Sequence, residues 1–275
     1  MKPARFDYVR AETLGEAHEV LATERDEASV IAGGQSLMPM LSTRLARPKV
    51  VVDIMRIPGL GAIAKENNAI RVGAAVRQAE LLAWPELASA QPLMAQALPW
   101  VGHAQTRSRG TVCGSVAHAD PSAEIPLALV ALGGEIVLSS SRRYRRVGAA
   151  EFFTGLMSTA RADDELIEAV IVPWQRPLHG YAFREFGRRH GDFAIVACAA
   201  VVSKSTARLA IGGVADRPTV FDDLPPYGRP LDKALDAAAR QLDARDDLHA
   251  SAEYRRALVR RLGRAAIVEA RRCLV

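Results

Sequence analysis

Two short glycine–serine segments, Ala32-Gly33-Gly34-Gln35-Ser36 and Thr111-Val112-Cys113-Gly114-Ser115, lie far apart in the chain. They constrain the fold more than any other feature. Glycines let a backbone approach an anion closely, and small hydroxyls add polar contacts at the same range. Either segment alone also serves as a tight turn. Together they read as a two-sided clamp on a phosphate-rich ligand, and one loop per phosphate suits the pyrophosphate of a dinucleotide. The second segment sits inside Val101 to Leu132, which is dense in groups that bind and poor in groups that only pack. Arg107 and Arg109 lead into it, and the turn His118-Ala119-Asp120-Pro121 and an apolar run, Leu127 to Leu132, follow.

The usual nucleotide fingerprints are absent. Gly33-Gly34 is not followed by the third, helix-packing glycine of a G-x-G-x-x-G turn, and the helix comes before this strand. No Gly-Lys-Ser/Thr occurs, so no Walker A loop is present.

Local patterning gives a mixed α and β chain. Phe6 to Val9 is an extended lead. Thr13 and Glu16 have capping-box spacing, and Leu14, Ala17 and Leu21 share a helical face. Strands are expected at 29–31, running into the first glycine loop, and at 50–54, with a helix over 37–47 between them. Turns are expected at Pro58-Gly59 and 65–68, a strand at 70–73, and helices at 78–87 and 92–98. Pro126 belongs in the first turn of a short helix. Strands follow at 135–139 and 165–173, flanking a basic turn at 142–146. Composition changes at Trp174 to Leu178, which marks a boundary. Beyond it, 193–202 and 208–212 read as an antiparallel hairpin across Ser203-Lys204-Ser205. Residues 218–230 are expected to be a loop. Two amphipathic helices close the chain, one carrying Leu231, Leu235 and Leu242, the last starting near Ser251.

Composition narrows the function classes. The chain has 275 residues, half of them apolar, enough for a core divided over two or three modules. No apolar run approaches the roughly 18 residues of a membrane span. The N-terminus lacks the apolar stretch of a secretory signal. Three scattered cysteines (Cys113, Cys198, Cys273) make neither a disulfide framework nor a metal cluster and fit a reducing, cytoplasmic setting. The net charge of +5 comes with few aromatics. The arginine runs therefore read as solvated faces or docking surfaces for an acidic partner, not as a nucleic-acid platform.

His103 and His118 flank the second loop without the carboxylate or cysteine partners of a metal site; they read as ligand contacts or loop braces. Asp120 either acts as a base or caps the next helix. Glu124 is an acceptor for ligand hydroxyls such as those of a ribityl chain. Cys113 reads as a small side chain fitting a tight loop. No nucleophile elbow or kinase signature appears. Redox chemistry on a bound cofactor needs little from the protein beyond binding and tuning, and that matches the pattern.

The segment Ala32-Gly33-Gly34-Gln35-Ser36-Leu37 with Pro39, Arg44 and Pro48 resembles the first flavin motif of the FAD-binding medium subunit of the molybdenum hydroxylases, the family of xanthine dehydrogenase and carbon monoxide dehydrogenase. Thr111 to Ser115 followed by Ala117-His118-Ala119-Asp120-Pro121-Ser122-Ala123-Glu124 resembles the second. The likeness continues through Asp164 to Ile167, Arg188 to Ala194, Ile211 to Val214 and Glu253 to Arg256, essentially the whole chain.

The resemblance implies an α+β fold. A two-part FAD-binding domain of the PCMH/molybdenum-hydroxylase flavoprotein type is followed by a small C-terminal antiparallel sheet with helices, divided at 1–57, 58–177 and 178–275. It implies that Ala32, Gly33, Gly34, Gln35 and Ser36, with Thr111, Cys113, Gly114 and Ser115, hold the FAD pyrophosphate, and that Leu37 also contacts the cofactor. It places Glu124 near the ribityl chain, His118 and Asp120 beside the flavin, and Arg184 near the flavin ring. Glycine is usual in the family where this chain has Cys113. If that backbone needs a positive φ, cysteine strains it. By the same resemblance the partners are a [2Fe-2S] small subunit and a large subunit carrying a molybdopterin-type molybdenum cofactor, as a dimer of heterotrimers. The location is cytoplasmic, or loosely on the inner face of the membrane. FAD would accept electrons singly from the clusters and pass them to an external acceptor. Two other readings stand beside it: a stand-alone FAD-dependent oxidoreductase, and a non-enzymatic dinucleotide-binding assembly module.

Overall fold

A computed structural model describes residues 2–274. The chain opens with β1 (Asp7–Arg10), α1 (Leu14–Glu24), β2 (Ala28–Ile31), α2 (Leu37–Ser42) and β3 (Val50–Asp53). The three strands form a parallel sheet in the order β1-β3-β2. β3 is central because Val50, Val51 and Val52 are all buried. The Thr13 hydroxyl accepts from the Glu16 amide at 3.2 Å and starts α1. Glu16 closes only half a capping box, since its carboxylate accepts from the Glu12 amide and not from that of Thr13. The expected helix over 37–47 is shorter: it ends at Ser42, Arg44 takes a positive φ of 61°, and Pro48 follows.

The second sheet holds β4 (Ile63–Glu66), β5 (Ala69–Gly73), β6 (Glu135–Ser139), β7 (Tyr144–Gly148) and β10 (Leu166–Pro173), in the antiparallel order β4-β5-β10-β6-β7. The turn expected at 65–68 is narrower, with β4 running to Glu66 and Asn67 turning at φ 51°. The basic turn at 142–146 is half strand, its last three residues belonging to β7. Between β5 and β6 come six helices: α3 (Gln78–Leu82), α4 (Leu87–Ala90), α5 (Pro92–Ala97), α6 (Ala104–Arg107), α7 (Val112–His118) and α8 (Glu124–Leu132). After β7, α9 (Ala149–Phe152) leads into a small ribbon of β8 (Phe153–Gly155) and β9 (Ser158–Thr159).

The third sheet is antiparallel, β11 (Gly180–Phe186), β12 (Val196–Val202), β13 (Ala207–Gly212) and β14 (Thr219–Leu224), in chain order. The expected hairpin is β12–β13. The expected loop over 218–230 contains β14, an edge strand that Pro218 precedes without removing a ladder donor. Helices α10 (Gly228–Gln241) and α11 (Ala252–Arg272) cover one face. β12 is buried along its whole length because both faces are covered. Ala197, Ala199 and Val201 join the core around α8, while Val196, Cys198, Ala200 and Val202 join the core under α10 and α11. After Glu124, α8 is apolar all round, and every residue in it is buried, as a helix packed on several sides must be. It touches α5, α7, β12 and β13, and so joins the middle of the molecule to the C-terminal sheet. Among the described residues no helix is long and apolar enough to cross a membrane.

Candidate functional site

β2 ends at Ile31 and delivers residues 32–36 to the wall of a cleft of about 510 Å³. The opposite wall is Gly110 to Ser115. The two walls touch: a β-carbon on Gly33 would lie 2.0 Å from the Arg109 carbonyl oxygen and 2.7 Å from the Gly110 α-carbon. Only glycine fits there. Gly34 has a φ of 70°, a conformation that also favours glycine. Among the described residues the amides of Gly33, Gly34, Gln35 and Ser36 donate to no backbone carbonyl. They are free for a ligand.

The second segment is pinned from behind. The Val112 amide donates to Val76 and the Gln78 amide to Gly110, at 3.1 and 2.8 Å. It is not a loop, as the sequence suggested, but the cap and first turns of α7. The Thr111 hydroxyl accepts from the Gly114 amide at 3.0 Å. Cys113 therefore has helical backbone, and the positive φ that would have strained it does not arise. Its thiol points into the core, donates to the Val72 carbonyl at 3.6 Å, and is pushed up to about 12 by burial.

Ala32, Gly33, Gly34, Gln35, Ser36, Leu37, Thr111, Cys113, Gly114, Ser115, His118, Asp120 and Glu124 all line this one cleft. Asp120 does not cap α8, whose N-cap is Ala123. It closes a turn by accepting from the Ser122 amide at 2.8 Å. Glu124 opens α8 and is only 5% exposed. Burial pushes its carboxyl up to about 7, Asp120 adds to the rise, and Arg107 opposes it. Arg107 and Arg109 do not line the cleft. Arg107 donates to the carbonyls of Pro99, Val101 and Gly102. His103 packs edge-on against His190, not beside His118. Arg184 also falls outside the cleft lining and pairs with Glu269 of α11 at 2.5 Å.

Several lining residues escaped the sequence reading. Gln78 is buried, donates to the Thr111 carbonyl, and leaves its Oε1 without a partner beside Gly110. Arg161, Glu165, Leu166 and Ile167 form the far wall. Glu165 takes two 2.7 Å hydrogen bonds from Arg145. Gly191, Asp192 and Phe193 arrive from the loop between β11 and β12. The Arg188 to Ala194 motif was the available signal for these three. The Asp164 to Ile167 likeness was the signal for Glu165, Leu166 and Ile167, though it did not tie them to the cleft; Arg161 had no local mark.

A family model described as the FAD binding domain in molybdopterin dehydrogenase matches residues 4–175, and one described as the CO dehydrogenase flavoprotein C-terminal domain matches residues 181–270. The chain belongs to this flavoprotein family of the molybdopterin dehydrogenases. The chain is similar to the nicotine 6-hydroxylase medium subunit of Paenarthrobacter nicotinovorans, 37% identical over 98% of this chain and 99% of the relative. It is 32% identical to the carbon monoxide dehydrogenase medium chain of Hydrogenophaga pseudoflava over 97% of each. Carbon monoxide dehydrogenase from the same organism, in a form lacking the Mo-pyranopterin moiety, superposes with a TM-score of 0.95 over all of both chains at 30% identity. Quinoline 2-oxidoreductase from Pseudomonas putida 86 superposes at 0.90, with 33% identity and 99% of both chains covered. The molybdopterin-dehydrogenase flavoprotein fold and its FAD-binding domain are thus those of this chain.

Proposed function

We propose that this chain holds FAD in the cleft and acts as the electron-transfer subunit of a heterotrimeric molybdenum hydroxylase. The observation that carries the reading is the convergence of the two glycine segments, with Gly33 to Ser36, whose amides have no backbone acceptor, lining a cleft opposite Gly110 and Thr111. The donor set fits the cofactor. Backbone amides suit a pyrophosphate. The orphaned Oε1 of buried Gln78 is an acceptor for a ligand hydroxyl or amine. Glu124 supplies a hydrogen-bonding carboxyl deeper in, and Phe193, 65% exposed, an apolar wall at the rim.

When bound, FAD supplies the conversion between one-electron and two-electron transfer. Residues 32–37 and 111–115 bind and orient it, His118 and Asp120 flank it, and α8 fixes Glu124. With three cysteines, the chain is short of the four thiolates of one [2Fe-2S] cluster. The clusters then belong to a small partner subunit, and the molybdenum cofactor with the oxidised substrate to a large one. The names "medium subunit" and "medium chain" of the relatives support that division. The expected assembly is a dimer of heterotrimers passing electrons to an external acceptor. Free thiols at Cys113, Cys198 and Cys273 suit the cytoplasm. Unit boundaries at 57/58 and 177/178 fall between the three sheets.

Native purification from the source organism tests the proposal. A visible flavin spectrum together with iron, molybdenum and two further chains is the expected result. A colourless chain that takes up no FAD would sink the cofactor reading. A flavin-loaded chain alone, oxidising a small molecule, would sink the subunit reading.

A further inference from the structure

Arg255 lies near the start of α11 with its side chain buried. One guanidinium nitrogen, Nη1, donates to the carbonyls of Ile195 and Gly213, both at 2.6 Å. The other, Nη2, donates to Asp247 in the loop between α10 and α11 at 2.5 Å. Both carbonyls belong to stretches tied to the cleft. Ile195 ends the loop between β11 and β12, whose Gly191, Asp192 and Phe193 line it. The Gly213 amide donates to the Pro121 carbonyl at 2.8 Å, in the turn that carries Asp120, Ala123 and Glu124 to the same cleft. A second cavity, of about 580 Å³, adjoins the first, and Arg255 lines only this one. Gly191, Asp192 and Phe193 line both, so their loop is a partition with space on either side. Gly213 lets the fork close. Its φ is 78°, and a β-carbon on it would lie 2.8 Å from the Ala194 carbonyl oxygen and 2.9 Å from that of Ile195. A bare backbone there lets two carbonyls converge on one nitrogen. Arginine alone offers a rigid, charged fork with enough donors for both carbonyls and a carboxylate. Three stretches of the sequence likeness, Arg188 to Ala194, Ile211 to Val214 and Glu253 to Arg256, thus meet at or beside one side chain.

We propose that Arg255 is a positioning residue of the cleft: by tying Ile195 and Gly213 to α11, it fixes the wall made by 191–193 and the Asp120 to Glu124 turn, and with it the site for the flavin half of FAD. The ligand rests on the function proposed above; the tether does not. The pyrophosphate segments are independent of it. Gly33 is set by its contact with Arg109, and residues 110–112 by Val76 and Gln78, and no hydrogen bond of Arg255 reaches either segment. The C-terminal sheet and helices therefore add selectivity for FAD over a ligand that carries the pyrophosphate without the flavin.

Two measurements on the full-length, FAD-free chain separate this role from plain stability. Hydrogen–deuterium exchange reads the tether. Arg255→Met keeps an apolar stem and removes the donors; peptides covering 120–124 and 187–195 are expected to exchange faster, and those covering 33–36 and 110–115 as in the wild type. Titration with FAD and with ADP reads the cleft, since ADP has the pyrophosphate and no flavin. FAD affinity is expected to fall at least about fivefold, the order of one hydrogen bond, with ADP affinity unchanged. Arg255→Lys keeps the charge without the fork and recovers part of the preference for FAD. Gly213→Ala pushes the same carbonyls from the other side and gives the same selective loss with Arg255 in place. These two variants carry the comparison if Arg255→Met does not fold. Equal losses for FAD and ADP, or a lower melting temperature with both affinities intact, are what a purely structural arginine gives, and either overturns the proposal. A wild-type chain that binds no FAD sinks the cofactor reading, and the exchange data then decide the tether alone. A chain that binds FAD, but whose exchange at 120–124 and 187–195 is unmoved by the substitutions, overturns the tether alone.

Discussion

Gly33 abuts the carbonyl of Arg109 so closely that a β-carbon on it would lie 2.0 Å from the oxygen. This contact sets the separation of the two cleft walls. In Gly33→Ala one wall must retreat, because both partners are backbone. Such overpacking costs about 1–3 kcal/mol of stability and moves the free amides from their places. FAD affinity is expected to fall by at least about tenfold, the equivalent of roughly 1.4 kcal/mol. Thermal unfolding and titration of flavin fluorescence quenching measure both. Gly61→Ala, whose β-carbon meets nothing within 4 Å, is the control. Equal behaviour of the two variants would contradict this account of the cleft.

Cys113, where the motif resemblance leads one to expect glycine, sits in a helix with its side chain in the core. Cys113 and Cys198 are buried and Cys273 is exposed, so in the native chain only Cys273 is expected to react with thiol reagents. Mass spectrometry of the alkylated protein should find modification at Cys273 alone, and at all three sites after denaturation. Cys113→Gly removes a buried side chain and adds a glycine to a helix, at about 1 kcal/mol for the backbone alone. It is expected to lower the melting temperature and to leave FAD affinity within about twofold, since the thiol is taken up by the core and the Val72 carbonyl.

Arg184 carries a different expectation from the one the sequence suggested. Its guanidinium is half exposed and paired with Glu269. A pair of this kind contributes about 0–1 kcal/mol. Arg184→Ala should therefore leave the FAD dissociation constant unchanged and the melting temperature within a few degrees. A large loss of FAD affinity in that variant, measured by titration, would place its side chain at the flavin after all.

The case of Arg184 marks the limit of what the sequence could tell. Adjacent residues on a strand face opposite ways, and the sequence around Arg184 does not say that its side chain meets Glu269 of α11. The glycine segments were legible because their use is local: only glycine makes the close approach at Gly33 or the φ of 70° at Gly34. The buried strand β3 and the β12–β13 hairpin were legible from apolar runs and turn residues. The helix at Val112–His118 was not, since its glycine, cysteine and serine look like a loop until Thr111 caps them. β14 was hidden by prolines at its edges, and the Arg161 to Ile167 wall by its distance from either motif. Those depend on sheet order, which no single segment encodes.

The pH dependence of the FAD-free chain follows from carboxyls shifted in opposite directions. Glu124 is raised to about 7 by burial, with Asp120 adding. Between the ordinary carboxylate value of about 4.3 and about 7, the folded chain binds more protons than the unfolded one, so stability falls as pH rises through that window. Glu185 extends the decline toward about 9. On the acid side the sign reverses. Burial raises Glu165, but the hydrogen bonds from Arg145 and the Ala162 amide outweigh it, and its carboxyl is held below the usual range. Asp247 is likewise low: burial opposes the shift, and the His249 and Ala250 amides with Arg255 prevail. Their stabilisation is present above the ordinary value and lost as pH falls through the folded one. The apo chain should thus be most stable in acid, around the ordinary carboxylate value of about 4.3. Denaturant unfolding across the range measures the curve. Glu124→Gln should make the limb between about 4.3 and about 7 shallower, by a few kcal/mol at about 1.4 kcal/mol per unit, with the Glu185 share of the decline and the acid limb left in place. A wild-type curve that rises from mild acid to pH 8 would show that Glu124 ionises at no cost, and that its surroundings hold a compensating cation.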